Sequence, residues 1–243
     1  MSPVRLRSLL LIAVLTPASA VTAQDPGDHH HAGHHPEHPV DPHRQGHHHS
    51  FADAERWAGV FDAPERDAWQ KPAHVVELMK VAPGMTVVDL GTGTGYFLPY
   101  LARAVGEQGK VLGLDVEPAM IEHVKMRAEK AGLANVEART CAPDDPGLAD
   151  ASVDRVLIVD TWHHIDSRPI YTQKLLRALK PGGEVVVVDF TRDSPQGPPP
   201  AMRLSAEEVI REMAAGGLKA KVVEAQLPNQ YVVIGTRAGE GGP

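Results

Sequence analysis

VVDLGTGTGYF, running from Val87 to Phe97, sets an apolar strand with a terminal carboxylate directly against a glycine-dense turn. Val87, Val88 and Leu90 carry the β-branched and apolar signal of a buried strand. Gly91, Gly93 and Gly95 permit positive φ and take away the side chains that would hold a ligand off the backbone. Tyr96 to Val105 reads as the helix that follows, and the amide groups and dipole of its first turn favour negative charge. Strand, glycine turn and helix in this order outline a nucleotide-cofactor site.

The spacing of the glycines narrows the cofactor. A dinucleotide fingerprint requires G-x-G-x-x-G, with its third glycine where this chain has Tyr96, and a pyrophosphate on the helix start. Here the pattern is G-x-G-x-G. Asp89 would repel a pyrophosphate but suits a ligand with an ammonium group, and S-adenosylmethionine is such a ligand. A second acid, Asp115, ends the strand Lys110 to Asp115 and follows the glycine turn by the roughly 20 residues expected of a ribose-binding carboxylate. It can accept from both ribose hydroxyls; its other reading is a helix-capping acid ahead of Pro118.

Outward from this segment, strands and helices alternate. Helical signal covers Ala73 to Lys80 and stops at Pro83-Gly84. Strand Met85 to Leu90 follows, then helix Tyr96 to Val105, strand Lys110 to Asp115 and helix Pro118 to Ala131, with Pro118 suited to a first turn and Gly132 to a stop. Strands are expected at Val136 to Thr140 and Val153 to Asp160, a helix at Arg168 to Leu179 closed by Pro181-Gly182-Gly183, and a strand at Glu184 to Phe190. The last third holds a proline-rich loop (Ser194 to Pro200), a helix (Ser205 to Ala215), and strands near Lys219 to Ala225 and Gln230 to Thr236. Such alternation implies an α/β, Rossmann-like doubly wound sheet that binds ligands at the carboxyl ends of its strands.

VVDLGTGTGYF, VLGLDVEPAMIEHV, SVDRVLIVDTWHHI and LKPGGEVVVVDF resemble, in order and separation, the successive motifs of class I S-adenosylmethionine-dependent methyltransferases. The resemblance runs from about Phe51 to Arg237 and is strongest to the small-molecule type, including exported bacterial versions that begin with a segment like FDAPERDAWQKP. It implies seven strands in the order 3-2-1-4-5-7-6 with the last antiparallel. It also implies S-adenosylmethionine as cofactor, held by Asp89, Gly91, Gly93, Gly95 and Asp115, with Glu117 beside them. Where the family often places an acid against the adenine amine, this chain has Ala142 and then Pro143, which has no N–H to give. Asp144 is the nearest replacement, and Cys141 lines the pocket at most. The segment Phe61 to Pro72 would close over the cofactor through Arg66 or Trp69; on its residues alone it reads equally as a helical brace.

Methyl transfer is an in-line displacement at a carbon already activated by its sulfonium, so the protein supplies position and electrostatics. A base is needed only where the nucleophile must lose a proton. The catalytic candidates are Asp160, His163 and His164, because the end of the fourth strand faces the cofactor cleft in this architecture. Either histidine could accept a proton near neutral pH, or merely cap the loop. Asp160 reads as an orienting acid, and Trp162 either walls the methionine pocket or packs.

The first fifty residues differ from the rest. Arg5 and Arg7, an apolar run from Leu9 to Leu15 and Ala18-Ser19-Ala20 read as a secretory signal peptide over residues 1–20, cleaved after Ala20 or, alternatively, Ala23. The run is too short to span a bilayer, so the mature protein is expected to be periplasmic or secreted, with no stable membrane insertion. Residues 21–50 offer little for a core and are expected to be disordered. This stretch carries His29, His30, His31, His34, His35, His38, His43, His47, His48 and His49 of the fourteen histidines, a loose tail for zinc, copper or nickel with no single ligand assignable. A catalytic zinc site is not expected, for want of H-E-x-x-H or a cysteine pair. Residues 51–243 form the expected methyltransferase domain. The net charge of −7, with both signs interspersed and few aromatics, gives no footprint for nucleic acid. Nucleic acid is therefore not an expected substrate, and the resemblance implies a small-molecule acceptor, with a protein as the alternative. The competing reading is an exported non-enzymatic protein that keeps the fold and uses its tail for metal; a nicotinamide or flavin oxidoreductase is disfavoured by the glycine spacing and Asp89.

Overall fold

A computed structural model describes residues 53–237. The expected signal peptide, the histidine-rich stretch and the first two residues of the expected domain lie outside the described residues.

Three short helices lead into the sheet: α1 (Ala54–Phe61), α2 (Arg66–Gln70) and α3 (Pro72–Leu78). Asp53 caps α1 by accepting the Arg56 amide at 3.1 Å, which satisfies one of the orphan donors of the first turn. Lys71 takes a left-handed φ of 46° between α2 and α3, and Pro72 then begins α3 where a missing N–H is harmless.

The sheet contains β1 (Thr86–Leu90), β2 (Lys110–Asp115), β3 (Val136–Thr140), β4 (Val153–Val159), β5 (Leu179–Phe190), β6 (Leu218–Val223) and β7 (Gln230–Arg237). Their spatial order is β3-β2-β1-β4-β5-β7-β6, with β7 antiparallel to both neighbours and the remaining pairs parallel, as the family resemblance implied. The linking helices are α4 (Leu98–Val105), α5 (Pro118–Lys130), α6 (Arg168–Ala178) and α7 (Ala206–Ala215). Both faces of the sheet are apolar because both are covered. Period-two alternation divides the side chains: Val87, Leu157, Val186 and Val188 join one core with α3 and α4, whereas Val88, Ile158, Val185 and Val187 join a second with α6 and α7. Among the described residues no helix is long and apolar enough to cross a membrane.

Two boundaries depart from the sequence expectation. Helix α4 begins at Leu98 instead of Tyr96, because Gly95 is left-handed (φ 79°) and its carbonyl accepts the Leu98 amide at 3.1 Å in a tight turn. Tyr96 and Phe97 thereby drop their rings into the core. Strand β5 begins at Leu179, before the Pro181-Gly182-Gly183 breaker: Leu179 pairs with Val153, the chain loops out, and pairing resumes at Glu184 opposite Arg155. Helix α6 thus ends at Ala178, ahead of these glycines, which lie in an irregularity inside the strand instead of closing the helix as expected.

Arg203, nearly buried, organises the proline-rich loop by donating to the carbonyls of Ser194 (2.6 Å), Pro198 (2.8 Å) and Gln196 (3.0 Å). A capping box of Ser205 and Glu208 then starts α7.

Candidate cofactor and acceptor site

The glycine turn lies at the carboxyl end of β1, strapped to β2 by the Gly91 and Thr92 amides, which donate to the Leu114 carbonyl at 2.7 and 2.9 Å. All three glycines are left-handed, with φ of 72°, 52° and 79°. Their reasons differ. A Cβ on Gly91 would lie 2.3 Å from Thr161 Oγ1, and one on Gly95 would lie 2.7 Å from Leu98 Cδ1. These two are small because the protein's own side chains press against them, Thr161 from the loop after β4 and Leu98 from α4. Only Gly93 opens onto free space, its nearest neighbour being the Phe61 ring at 3.8 Å. Of the three, Gly93 alone leaves open space where a Cβ would stand.

Asp115 ties this turn to the next helix: Oδ2 accepts the Gly93 amide at 2.9 Å and Oδ1 accepts the Glu117 amide at 3.0 Å. Each oxygen keeps a further lone pair for a ribose hydroxyl. Burial pushes its carboxyl up from the ordinary range, while these amides draw it back. Glu117 is the N-cap residue of α5, partly exposed.

Asp89 is 3% exposed and accepts the Thr92 hydroxyl at 2.8 Å. Burial raises its pKa to about 6, with the Thr92 bond and the Arg66 charge acting in the opposite sense. A ligand ammonium in place would reverse that penalty, which is the fit expected of the methionine end of S-adenosylmethionine. The sign of the pH dependence follows. Because the folded-state pKa is raised, ionising Asp89 opposes folding as pH climbs from about 4 to about 6, and an ammonium ligand prefers the ionised form. The affinity for S-adenosylhomocysteine should accordingly weaken as pH falls below about 6, and Asp89→Asn should be weak throughout and flat across that window by isothermal titration.

Arg66 lies at the centre of the neighbouring charges. Its guanidinium donates to Gln70 Oε1 (3.1 Å) and to the Phe61 carbonyl (2.8 Å), stands 4.0 Å over the Tyr96 ring and 3.8 Å from Asp160 Oδ2. Gln70 and Gln230 are hydrogen-bonded side chain to side chain at 2.5 Å, and Gln230 in turn donates to Asp160 at 2.6 Å. Asp62 receives Thr94 Oγ1 (3.0 Å) and Arg127 (2.7 Å), and the Tyr96 hydroxyl donates to Asp67. Residues 61–72 are thus fastened over the glycine turn and the ends of β4 and β7. Of the two residues the resemblance offered there, Arg66 makes the polar contacts, and Trp69 packs at 5.7 Å from the Phe190 ring.

Past β4, Asp160 takes a left-handed φ of 51°, and its carboxyl is pushed well up by burial and by Asp189, with Arg66 opposing. His163 Nδ1 lies 2.9 Å from Asp189 Oδ2, both side chains almost wholly buried, and the rings of His163 and His164 are 4.2 Å apart. His164 is exposed. Trp162 resolves in favour of packing: fully buried, it sits in the core with α7 and donates to Glu212 at 2.9 Å. Trp162→Phe should therefore lower stability by about 1 kcal/mol in a denaturant titration while leaving cofactor affinity unchanged. Asp144 is exposed on the turn after β3, where its carbonyl accepts Lys174.

Sequence reading missed Asp189, Gln70 and Gln230. Asp189 and Gln230 had a signal, a polar residue at the end of an otherwise apolar strand (VVVVD and QYVVI), that only the sheet order turns into proximity. Among the described residues no three His, Cys, Asp or Glu side chains converge as a metal site.

Sheet order, glycine cradle and paired acids define the class I S-adenosylmethionine-dependent methyltransferase fold. The profile of a methyltransferase domain matches residues 82–230, and the chain belongs to that family. A structure of a SAM dependent methyltransferase from Aquifex aeolicus superposes with a TM-score of 0.70 at 31% identity, covering 75% of this chain and 97% of that one. An arsenite methyltransferase of Halobacterium salinarum is 33% identical over 115 residues, 47% of this chain and 29% of that protein. A demethylmenaquinone methyltransferase of Bacillus cereus is 31% identical over 133 residues, 55% of each. The chain thus spans about half the length of these curated relatives, or less.

Proposed function

We propose that this protein binds S-adenosylmethionine across β1 and β2 and transfers its methyl group to a small-molecule acceptor. The observation that carries the reading is the pairing of a buried Asp89 with the open face of Gly93, two features that a ligand with an ammonium group and a nearby polar chain would satisfy together. Asp89 holds the amino group, the Gly93 cradle admits the cofactor backbone, and Asp115 receives the ribose hydroxyls. Arg66 and the 61–72 segment shield the site from water, and Glu117 and Asp144 flank the ribose and adenine ends.

The acceptor is an organic small molecule and not arsenic(III). Arsenic(III) is soft and sought by thiolates, but this chain has one cysteine, and burial pushes the Cys141 thiol up to about 11. On sequence grounds alone, residues 1–20 direct export, so the enzyme acts in the periplasm or outside the cell, and the histidine tail holds zinc, copper or nickel loosely.

Isothermal titration of the histidine-bearing chain with S-adenosylmethionine, NAD and zinc tests the reading. Binding of the first and not the second is expected. Zinc binding alone, abolished by deleting residues 29–49, would leave a non-enzymatic metal carrier instead.

A further inference from the structure

We propose that Asp189 and His163 form a base dyad that deprotonates a neutral, phenol-like hydroxyl acceptor at the carboxyl ends of β4 and β5. The inference deepens the methyltransferase reading and rests on its cofactor site.

Four observations carry it. First, the imidazole of His163 is fixed: Nδ1 meets Asp189 Oδ2 at 2.9 Å, and the other oxygen of Asp189 is held by the Phe190 amide at 2.8 Å. With both carboxylate oxygens engaged, Asp189 stays an acceptor, the Nδ1–H tautomer is selected, and Nε2 is left with its lone pair. Second, an acid and an imidazole buried together at a strand end are expensive to desolvate, and a well-packed apolar pair would serve stability at least as well. Third, the dyad adjoins the cofactor cradle: Thr161, two residues before His163, presses against Gly91. Asp160, one residue earlier, lies 3.8 Å from the Arg66 guanidinium, whose charge also acts on Asp89. Fourth, the charges at this edge select the acceptor. The Asp189 carboxylate is buried here and the Arg66 guanidinium that could answer an anion is already engaged by Gln70 and the Phe61 carbonyl, so a neutral acceptor is favoured over a carboxylate or phosphate, and Trp69 packs on Phe190 beside it.

The balance is simple. His163 Nε2 takes the hydroxyl proton, and the oxygen's electron pair forms the new bond to the methyl carbon as the carbon–sulfur bond breaks, its pair remaining on sulfur. The products are a methyl ether, a neutral thioether and an imidazolium. Asp189 stabilises that imidazolium as a positioning residue, without being protonated. The imidazolium then returns its proton to water.

4-Nitrophenol reports the step without turnover, because its ionised form alone is yellow. Added to the protein saturated with S-adenosylhomocysteine, at a near-neutral pH where an imidazole can accept a proton and free nitrophenol is only partly ionised, it should bind and raise the phenolate band above that of the same concentration free in solution. Asp189→Asn and His163→Gln should each lose at least nine-tenths of that rise while binding S-adenosylhomocysteine within about twofold of the wild type. Two variants guard against misfolding of one, and thermal melts check both. Nitrophenol that fails to bind, that binds to the wild type without raising the band, or that keeps the rise in both variants overturns the dyad and leaves the cofactor reading standing. Failure of the wild type to bind S-adenosylhomocysteine overturns the methyltransferase reading and the dyad with it.

Discussion

Gly91→Ala is expected to destabilise the protein by about 3 kcal/mol, a fall in melting temperature of roughly 10 °C. Two effects add. The new methyl would lie 2.3 Å from Thr161 Oγ1 and 2.4 Å from Thr161 Cγ2, and the loop is held by amide bonds to Leu114 that resist its retreat. Alanine at a φ of 72° adds about 1 kcal/mol of backbone strain. The double variant Gly91→Ala/Thr161→Gly removes the colliding atoms but not the strain, so the two sites should couple by about 2 kcal/mol. Calorimetry of the four proteins checks this. Additive losses would mean that Thr161 is not what requires glycine at position 91. Gly93→Ala, whose methyl meets only the Phe61 ring at 3.8 Å, should suffer the strain alone yet interfere more with the cofactor.

Asp115→Ala should weaken S-adenosylhomocysteine by about 2 kcal/mol, roughly 30-fold, through the loss of a charge-assisted pair to the ribose. The same change strips acceptors from the Gly93 and Glu117 amides, bonded now at 2.9 and 3.0 Å, and should lower stability by about 1 kcal/mol. Isothermal titration well below the melting temperature separates the two effects. A variant that melts earlier but binds as tightly as the parent would make Asp115 a brace between β2 and α5 and place the ribose contact elsewhere.

The residues of the proposed cofactor site come together from segments that are local in sequence, so their proximity is legible there. Asp89 and the glycines are one strand and its turn, Asp115 ends the next strand, and the bond from Gly93 to Asp115 joins segments a single helix apart. Period-two runs such as Val185 to Val188 announced a sheet covered on both faces, and the structure divides them between two cores. The acceptor half was less legible because its partners come from distant segments. Asp160 receives Gln230, and Gln70 meets that same Gln230 across most of the chain; no spacing rule connects them. The sequence offers His163 without the carboxylate beside it: the family strand order sets β5 against β4, but only the observed register, Val159 opposite Val188, brings Asp189 to the loop after β4. The sequence alone leaves Trp162 as wall or core, because the Glu212 that its indole meets comes from α7, fifty residues on. Helix α4 starts late for a similar reason: the burial of Tyr96 and Phe97 depends on α3 and the sheet, which a local pattern does not contain.

The reversed direction of β7 has a consequence for how such an enzyme can diversify. Because this strand runs against its neighbours, its first residue, Gln230, arrives at the edge where parallel strands deliver their last. The loops bounding that edge, residues 191–205 and 224–229, are anchored in the half of the sheet remote from Gly93 and Asp115. On the proposed methyltransferase reading, insertions or exchanges in them would alter the acceptor end of the site and leave Asp89, Gly93 and Asp115 in place, so one margin of the sheet can vary alone.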